Sequence, residues 1–270
     1  MTLLEIIIMG VVQGVTEFLP VSSSGHLVVA NALLESFGGS PVEDLVEVNV
    51  VLHLGTLGAV LVYYRREIAR LLTSDQRVVP LLVVGTIPAA VLGVWIKKGI
   101  PDETSAAILE NPLLAGLMFP VTAAALVWAS RQKAGDLTYQ QLSVKQTLII
   151  GTLQAFALLP GISRSGATIA GGLGVGLRRE DAAAFAFLLA IPAISGAGAL
   201  ELLEMLETYQ ATGATATPLA TLAVGFVISM VVGLGALSLL IQFVRRGQLN
   251  IFAYYLVALG LAVTAWQLSS

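Results

Sequence analysis

The chain is predicted to be an all-α integral membrane protein, with six transmembrane helices plus two re-entrant helical hairpins in an inverted-topology repeat. Three observations predict this. Of its 270 residues 56% are hydrophobic and only 11% are charged, against roughly 25% charged in an average soluble domain. Apolar runs recur at about the 20 residues a helix needs to cross a bilayer, and they are spread too widely for a cleaved signal sequence. Two further apolar regions are interrupted by short polar elbows of nearly the same composition.

In chain order, full spans are expected at 45–64, 78–96, 112–130, 182–203, 219–244 and 251–266. The broken regions are 3–34 and 146–177, interrupted by "LPVSSSGH" and "LPGISRSGAT". Each leaves pieces short for a hydrocarbon layer about 30 Å thick. Arg65, Arg66, Arg70 and Arg77 follow the first span, Arg131, Lys133 and Lys145 the third, and Arg245 and Arg246 the fifth; Arg178 and Arg179 precede the fourth. If the spans alternate and each broken region enters and leaves by one face, all these charges share a side, cytoplasmic by the positive-inside rule. Most acidic residues, among them Glu35, Glu43, Asp44, Glu47, Glu103, Glu110 and Glu204, then fall on the other side. Lys97 and Lys98 are exceptions. The first broken region would enter from outside and the second from the cytoplasm, so their elbows meet near the bilayer centre. This makes one membrane domain of two repeats, roughly 1–130 and 145–270, with the site where the repeats touch.

Composition excludes several classes. There is no cysteine, hence no disulfide and no thiolate metal site. A net charge of −3 gives no case for nucleic acid. The glycine runs "GGLGVGL" and "VGLGAL" follow no strand and suit close helix packing better than nucleotide binding.

The elbows carry the chemistry. Irregular backbone at membrane depth is tolerated only where protein or a water-filled cavity satisfies it. Serines after each proline can cap the helix that follows, leaving backbone N–H groups pointing into the cavity. Two such N-termini face to face would favour an anion, and Arg164 adds a planar fork suited to phosphate oxygens. Glu17 lies four residues after Gln13, on the same helix face. A carboxylate at that depth needs a partner: Arg164, a serine hydroxyl, His26 or a divalent ion. His26 is a candidate general acid, base or nucleophile. His53 has no matching constellation and is expected to be a packed or water-bonded residue. Pro88 and Pro192 read as helix kinks.

"QGVTEFLPVSSSGH" together with "LPGISRSGATIAGG" resembles the undecaprenyl-diphosphate phosphatase family, also called BacA or UppP, over essentially the whole chain. The family's Glu/Gln-x-x-x-Glu motif is matched by Gln13 to Glu17. Its Pro-Gly-x-Ser-Arg-Ser-x-x-Thr motif is matched by Pro160, Gly161, Ser163, Arg164, Ser165 and Thr168. The resemblance implies hydrolysis of undecaprenyl diphosphate to the monophosphate and inorganic phosphate in the cytoplasmic membrane, recycling a lipid carrier for envelope polymers. It also implies six spans with two re-entrant hairpins. Carried over by position, the catalytic residues are Glu17, Ser23, His26 and Arg164. Gln13, Ser22, Ser24, Ser163, Ser165 and Thr168 are expected to hold the substrate; Gln13, a neutral amide, takes no acid/base role. Ser23 is the preferred nucleophile, with His26 or water left open. A Mg²⁺ or Ca²⁺ ion bridging Glu17 and the diphosphate is the expected cofactor, and membrane lipid and a second copy in a homodimer are the expected partners. The cavity is expected to open to the outer face. Two other readings stand beside this one. A polyprenyl-phosphate transporter or flippase would use the same inverted-repeat cavity. "SSSGH" also resembles the Pro-Ser-Gly-His motif of a second membrane lipid-phosphatase class, but the histidine that class needs after its Ser-Arg is missing here.

Overall fold

A computed structural model describes residues 2–36, 46–212 and 217–269. Among these, the regular elements are helices: α1 (Leu3–Phe18), α2 (Ser23–Ser36), α3 (Val46–Tyr63), α4 (Arg65–Leu71), α5 (Val78–Gly99), α6 (Asp102–Leu109), α7 (Pro112–Arg131), α8 (Val144–Phe156), α9 (Arg164–Gly174), α10 (Arg179–Thr212), α11 (Leu219–Arg246) and α12 (Asn250–Ser269). Residues 43–45, which include Glu43, Asp44 and the first residue of the first expected span, lie outside the described residues.

The two interrupted regions start and stop for local reasons. The Thr2 hydroxyl accepts the Glu5 N–H while the Glu5 carboxylate accepts the Thr2 N–H. Ser143 and Gln146 make the same reciprocal cap at the start of α8, and such caps satisfy backbone donors the helix itself cannot. α1 then ends at Leu19, extended at φ −61°, ψ 143°, as the residue before a proline prefers. α8 ends four residues before Pro160.

The expected spans all appear as helices, but they are not six straight crossings. Five, namely α5, α7, α10, α11 and α12, are long and apolar enough to cross a membrane, and α3 qualifies only together with α4, from which it is bent by 77°. The reason is polarity: α4 carries Arg65, Arg66, Glu67 and Arg70, which favours an interfacial course over a continued apolar one. α10 is longer than expected, 34 residues.

α10 is the central element: 61% of its apolar window is buried inside the protein, against 17% for α5 and 22% for α12. It packs on α3, α5 and α9; α1 lies along α11 as α8 lies along α5, α7 pairs with α12, and both short helices α2 and α9 lean on α7. Small residues permit this. A methyl on Gly14 would meet Ser229 and Gly233 of α11, and one on Gly151 would meet the Gly85 backbone of α5; close backbone approach is how helices gain packing energy where lipid is as apolar as they are. Phe18, Phe119, Phe185 and Phe187 fill the interior. Val91, Trp95, Tyr254 and Leu261 point outward and are more than half exposed. An outer surface this apolar belongs in a bilayer, and the chain is a multi-pass helical membrane protein.

One end of the bundle is polar. Arg70, Arg178 and Arg245 line a single cavity with Tyr139 and Gln140, so segments scattered along the sequence converge there. Arg178 pairs with Asp181 at 2.8 Å and Arg245 with Glu180 at 3.0 Å. Asp75 accepts hydrogen bonds from Gln140, Ser74 and Tyr139. The Gln140 amide, followed by the Ser74 and Tyr139 hydroxyls and the nearby Arg70 charge, holds the Asp75 carboxyl below its ordinary value, although partial burial opposes this. Burial, then the bond to Asp75, pushes the Tyr139 hydroxyl up to about 12.

Candidate active site

Where the two interrupted regions meet, each presents a serine that caps the helix after it. Ser22 Oγ accepts the Gly25 N–H at 3.3 Å, and Ser163 Oγ accepts the Gly166 N–H at 3.2 Å. The elbows are also bonded to each other and to α7. Gly161 N–H donates to Ser22 Oγ at 3.1 Å; the Thr122 hydroxyl donates to the Gly161 carbonyl at 2.8 Å and accepts the Ser163 N–H at 3.1 Å. Both turns need left-handed backbone, at Ser22 (φ 69°) and Gly161 (φ 90°). Such a conformation is costly for serine; here it places one hydroxyl where it receives donors from both elbows. The start of α2 is thereby brought against the second elbow, with Gly25 packed on the backbone of Gly161, and the N-terminus of each helix leaves N–H groups without an intrahelical partner.

Glu17, at the end of α1, is the hub of that space. Arg164 Nη2 lies 2.5 Å from its Oε1. Ser23 Oγ and Gln13 Nε2 each donate to its Oε2 at 3.2 Å, and His53 Nε2 stands 3.9 Å from the same oxygen. The Glu17 side chain is 9% exposed and that of Arg164 18%, so neither charge is solvated as in water. A pair this buried is held by its added hydrogen bonds as much as by attraction, and removing one partner strands the other. Glu17, Ser23, His53 and Arg164 line a cavity of about 260 Å³ together with Ser22, Ser24, Ser163 and Gln154, bounded by Ala193, Ile194 and Ala197 of α10.

The structure sorts the sequence-derived residues into layers. Glu17, Ser22, Ser23, Ser24, Ser163 and Arg164 line the cavity. Gln13 touches it through Glu17. Ser165 and Thr168 are buried behind it: the Thr168 hydroxyl donates to the Arg164 carbonyl at 2.8 Å, and Ser165 exchanges a bond with Ser163 at 3.2 Å. His26 departs most from expectation. Its Nδ1 meets the Ser22 carbonyl and its Nε2 the Tyr255 hydroxyl, both at 2.7 Å, and its ring stacks on Tyr255 and packs edgewise on Phe119. His26 is not among the residues that line the cavity, and with both nitrogens engaged the ring ties the start of α2 to α12.

His53 and Gln154, both on the cavity, escaped the sequence reading. His53, expected to be merely packed, bonds the Asn49 carbonyl through Nδ1 at 2.8 Å and turns Nε2 toward Glu17. An imidazole halfway along an apolar span is itself a signal, because it needs a polar neighbour. Gln154 could have been found from spacing: it precedes the capping Ser163 by the same nine residues that separate Gln13 from Ser22.

Fold and cavity together define a polytopic helical membrane protein with a hydroxyl-rich, ion-paired centre between two interrupted regions. A family profile described as "Bacitracin resistance protein BacA" matches residues 6–262. The chain is 43% identical over 261 residues to the undecaprenyl-diphosphatase of Rhodopirellula baltica, covering 97% of this chain and 96% of the relative. It is 37% identical to the undecaprenyl-diphosphatase of Methanosphaera stadtmanae, over 96% of each chain, and 38% identical to that of Carboxydothermus hydrogenoformans, over 97% of each. The chain belongs to the BacA family.

Proposed function

We propose that this chain hydrolyses undecaprenyl diphosphate to undecaprenyl monophosphate and inorganic phosphate. One observation carries the reading: Glu17 and Arg164, 147 residues apart in sequence, meet at 2.5 Å beside the Ser23 hydroxyl in a cavity at the N-termini of two helices. Helix N-termini and a guanidinium suit an oxyanion of high charge, and the apolar exterior gives a polyprenyl tail access from the lipid. The relatives named above are diphosphatases, and the transport alternative draws no support from them.

In the proposed mechanism Arg164 and the first-turn N–H groups of α2 and α9 hold the terminal phosphoryl group. Ser23 Oγ attacks its phosphorus in line as Glu17 Oε2 takes the hydroxyl proton. The bridging P–O bond breaks and prenyl monophosphate leaves with the electron pair. Water then attacks the phosphoserine, passing a proton outward, and the serine oxygen recovers the proton held by Glu17, releasing phosphate. Positioning and charge neutralisation are the main demands of phosphoryl transfer, and these residues meet both. His26, with both nitrogens engaged, is read as a residue that positions α2.

For a divalent ion the donor set is one-sided. Among the described residues no three His, Asp or Glu side chains converge, and Glu17 is the carboxylate on the cavity. That fits a Mg²⁺ or Ca²⁺ ion brought in on phosphate oxygens, with Glu17 as its protein ligand. Such an ion would add the positive charge that one arginine lacks against a diphosphate.

The finer architecture belongs to the same proposal. α3 with α4, α5, α7, α10, α11 and α12 make six crossings, and α1–α2 and α8–α9 are re-entrant hairpins entering from opposite faces. The matching pairs α1 with α11 and α8 with α5 support two inverted repeats. The basic end faces the cytoplasm and the cavity opens outward. Phosphate release by purified protein in detergent from C15 and C55 prenyl diphosphates, with and without chelator, tests the activity and the ion together. No release from either lipid with Mg²⁺ or Ca²⁺ supplied would overturn the assignment.

A further inference from the structure

Gln154 is a polar side chain of the cavity that the proposed mechanism does not use. It is 3% exposed, and among the described residues neither its Nε2 nor its Oε1 has a hydrogen-bond partner. Leaving a buried polar atom unpaired is costly, so a protein that keeps two in one side chain calls for an explanation. The comparison with Gln13 sharpens the point. Gln13 occupies the same place before the first capping serine, and its amide is satisfied by Glu17, one helical turn on. One turn after Gln154 stands Leu158, which offers no acceptor. Gln154 is carried by α8 and lines the cavity with Ser163 and Arg164.

We infer that the missing partner is the substrate: the Gln154 carboxamide is a binding group for the second phosphoryl group of the diphosphate. Its Nε2–H groups donate to phosphate oxygens, and Oε1 accepts from water or a protonated phosphate oxygen beside them. A diphosphate presents two phosphoryl groups, and the Glu17–Arg164–Ser23 cluster accounts for one of them. A neutral amide adds donors for the other without tightening the grip on orthophosphate that Arg164 already exerts. The inference rests on the diphosphatase reading and refines it.

Gln154→Leu and Gln154→Met, both close in volume, remove the amide. Two readouts decide, each on full-length protein in detergent: kcat and KM for the C55 diphosphate, and thermal unfolding with and without inorganic pyrophosphate or orthophosphate. We expect KM to rise about tenfold, the scale of one lost hydrogen bond, with kcat within about threefold of wild type. Tm without ligand should hold or rise, because an unpaired polar group has been removed, and the stabilisation by pyrophosphate should shrink more than that by orthophosphate. A lower Tm with unchanged KM and an unchanged pyrophosphate shift, in whichever variant folds, would make Gln154 a structural residue and overturn the inference. Wild-type protein that is stabilised by pyrophosphate yet releases no phosphate would instead sink the activity, leaving Gln154 to be judged by the pyrophosphate shift alone.

Discussion

The two elbows share a frame and differ in what they hang on it. In each a serine caps the following helix through the N–H three residues on, and bonds or nearly bonds the serine two residues on. The residue just after the cap is Ser23 in the first elbow and Arg164 in the second. Four residues after the shared glutamine stands Glu17 in the first and Leu158 in the second. In the mechanism proposed above, one elbow supplies the nucleophile and its base and the other a fixed positive charge. Neither is complete without its counterpart, and the hydrogen bond from the Gly161 N–H to Ser22 Oγ keeps them in register. A repeated backbone with divergent side chains lets two similar pieces of sequence supply the opposite charges of one buried ion pair.

The comparison breaks most sharply at the charges. Arg164→Ala and Glu17→Ala should each lower phosphate release by about 10³-fold or more while a folded protein remains, as judged by size-exclusion profile. A near-wild-type rate for Arg164→Ala would mean the second elbow is scaffold only, and one for Glu17→Ala would remove the carboxylate from the mechanism. Ser23→Ala should come next: loss of about 10²-fold or more marks a nucleophile, whereas survival of about one tenth of the rate would reduce Ser23 to a ligand and favour direct attack by water. The caps should differ in stability. Ser163→Ala removes the cap on the Gly166 N–H, worth about 1 kcal/mol, together with the bond to Ser165, and Ser22→Ala should cost more in a detergent-melt assay, because besides the matching cap and serine bond it strands the Gly161 N–H. The smallest effect lies far from both elbows. Asp75 has a folded-state pKa below its ordinary 3.8, so its contribution is whole above that value and is lost as pH falls through the lower one. Asp75→Asn should flatten that acid limb of the stability profile and leave the catalytic rate at neutral pH unchanged.

Much of this arrangement was legible in the sequence, because bilayer physics leaves few options. Apolar runs of spanning length had to be helices, and a polar elbow within one had to face protein or water. Arg164 and Glu17, each costly alone, had to find a partner. What stayed hidden depends on contacts distant in sequence. His26 lies 229 residues from Tyr255, and nothing near either residue marks the other, so the bond between them could not be read from the sequence. His53 read as packing because its partner is on another helix. The bend after Tyr63 follows from a local run of arginines that the count of apolar residues passed over.

A methyl at Gly25 would stand 2.6 Å from the Gly161 nitrogen and 2.8 Å from its Cα. The spacing between the two elbows is therefore gauged by main-chain atoms at their closest tolerated approach. Rotamer changes in the surrounding bundle, or a change of lipid around it, can shift side chains without altering that gauge. The same feature makes the position intolerant: even alanine at Gly25 would act as a spacer driven into the centre of the machine.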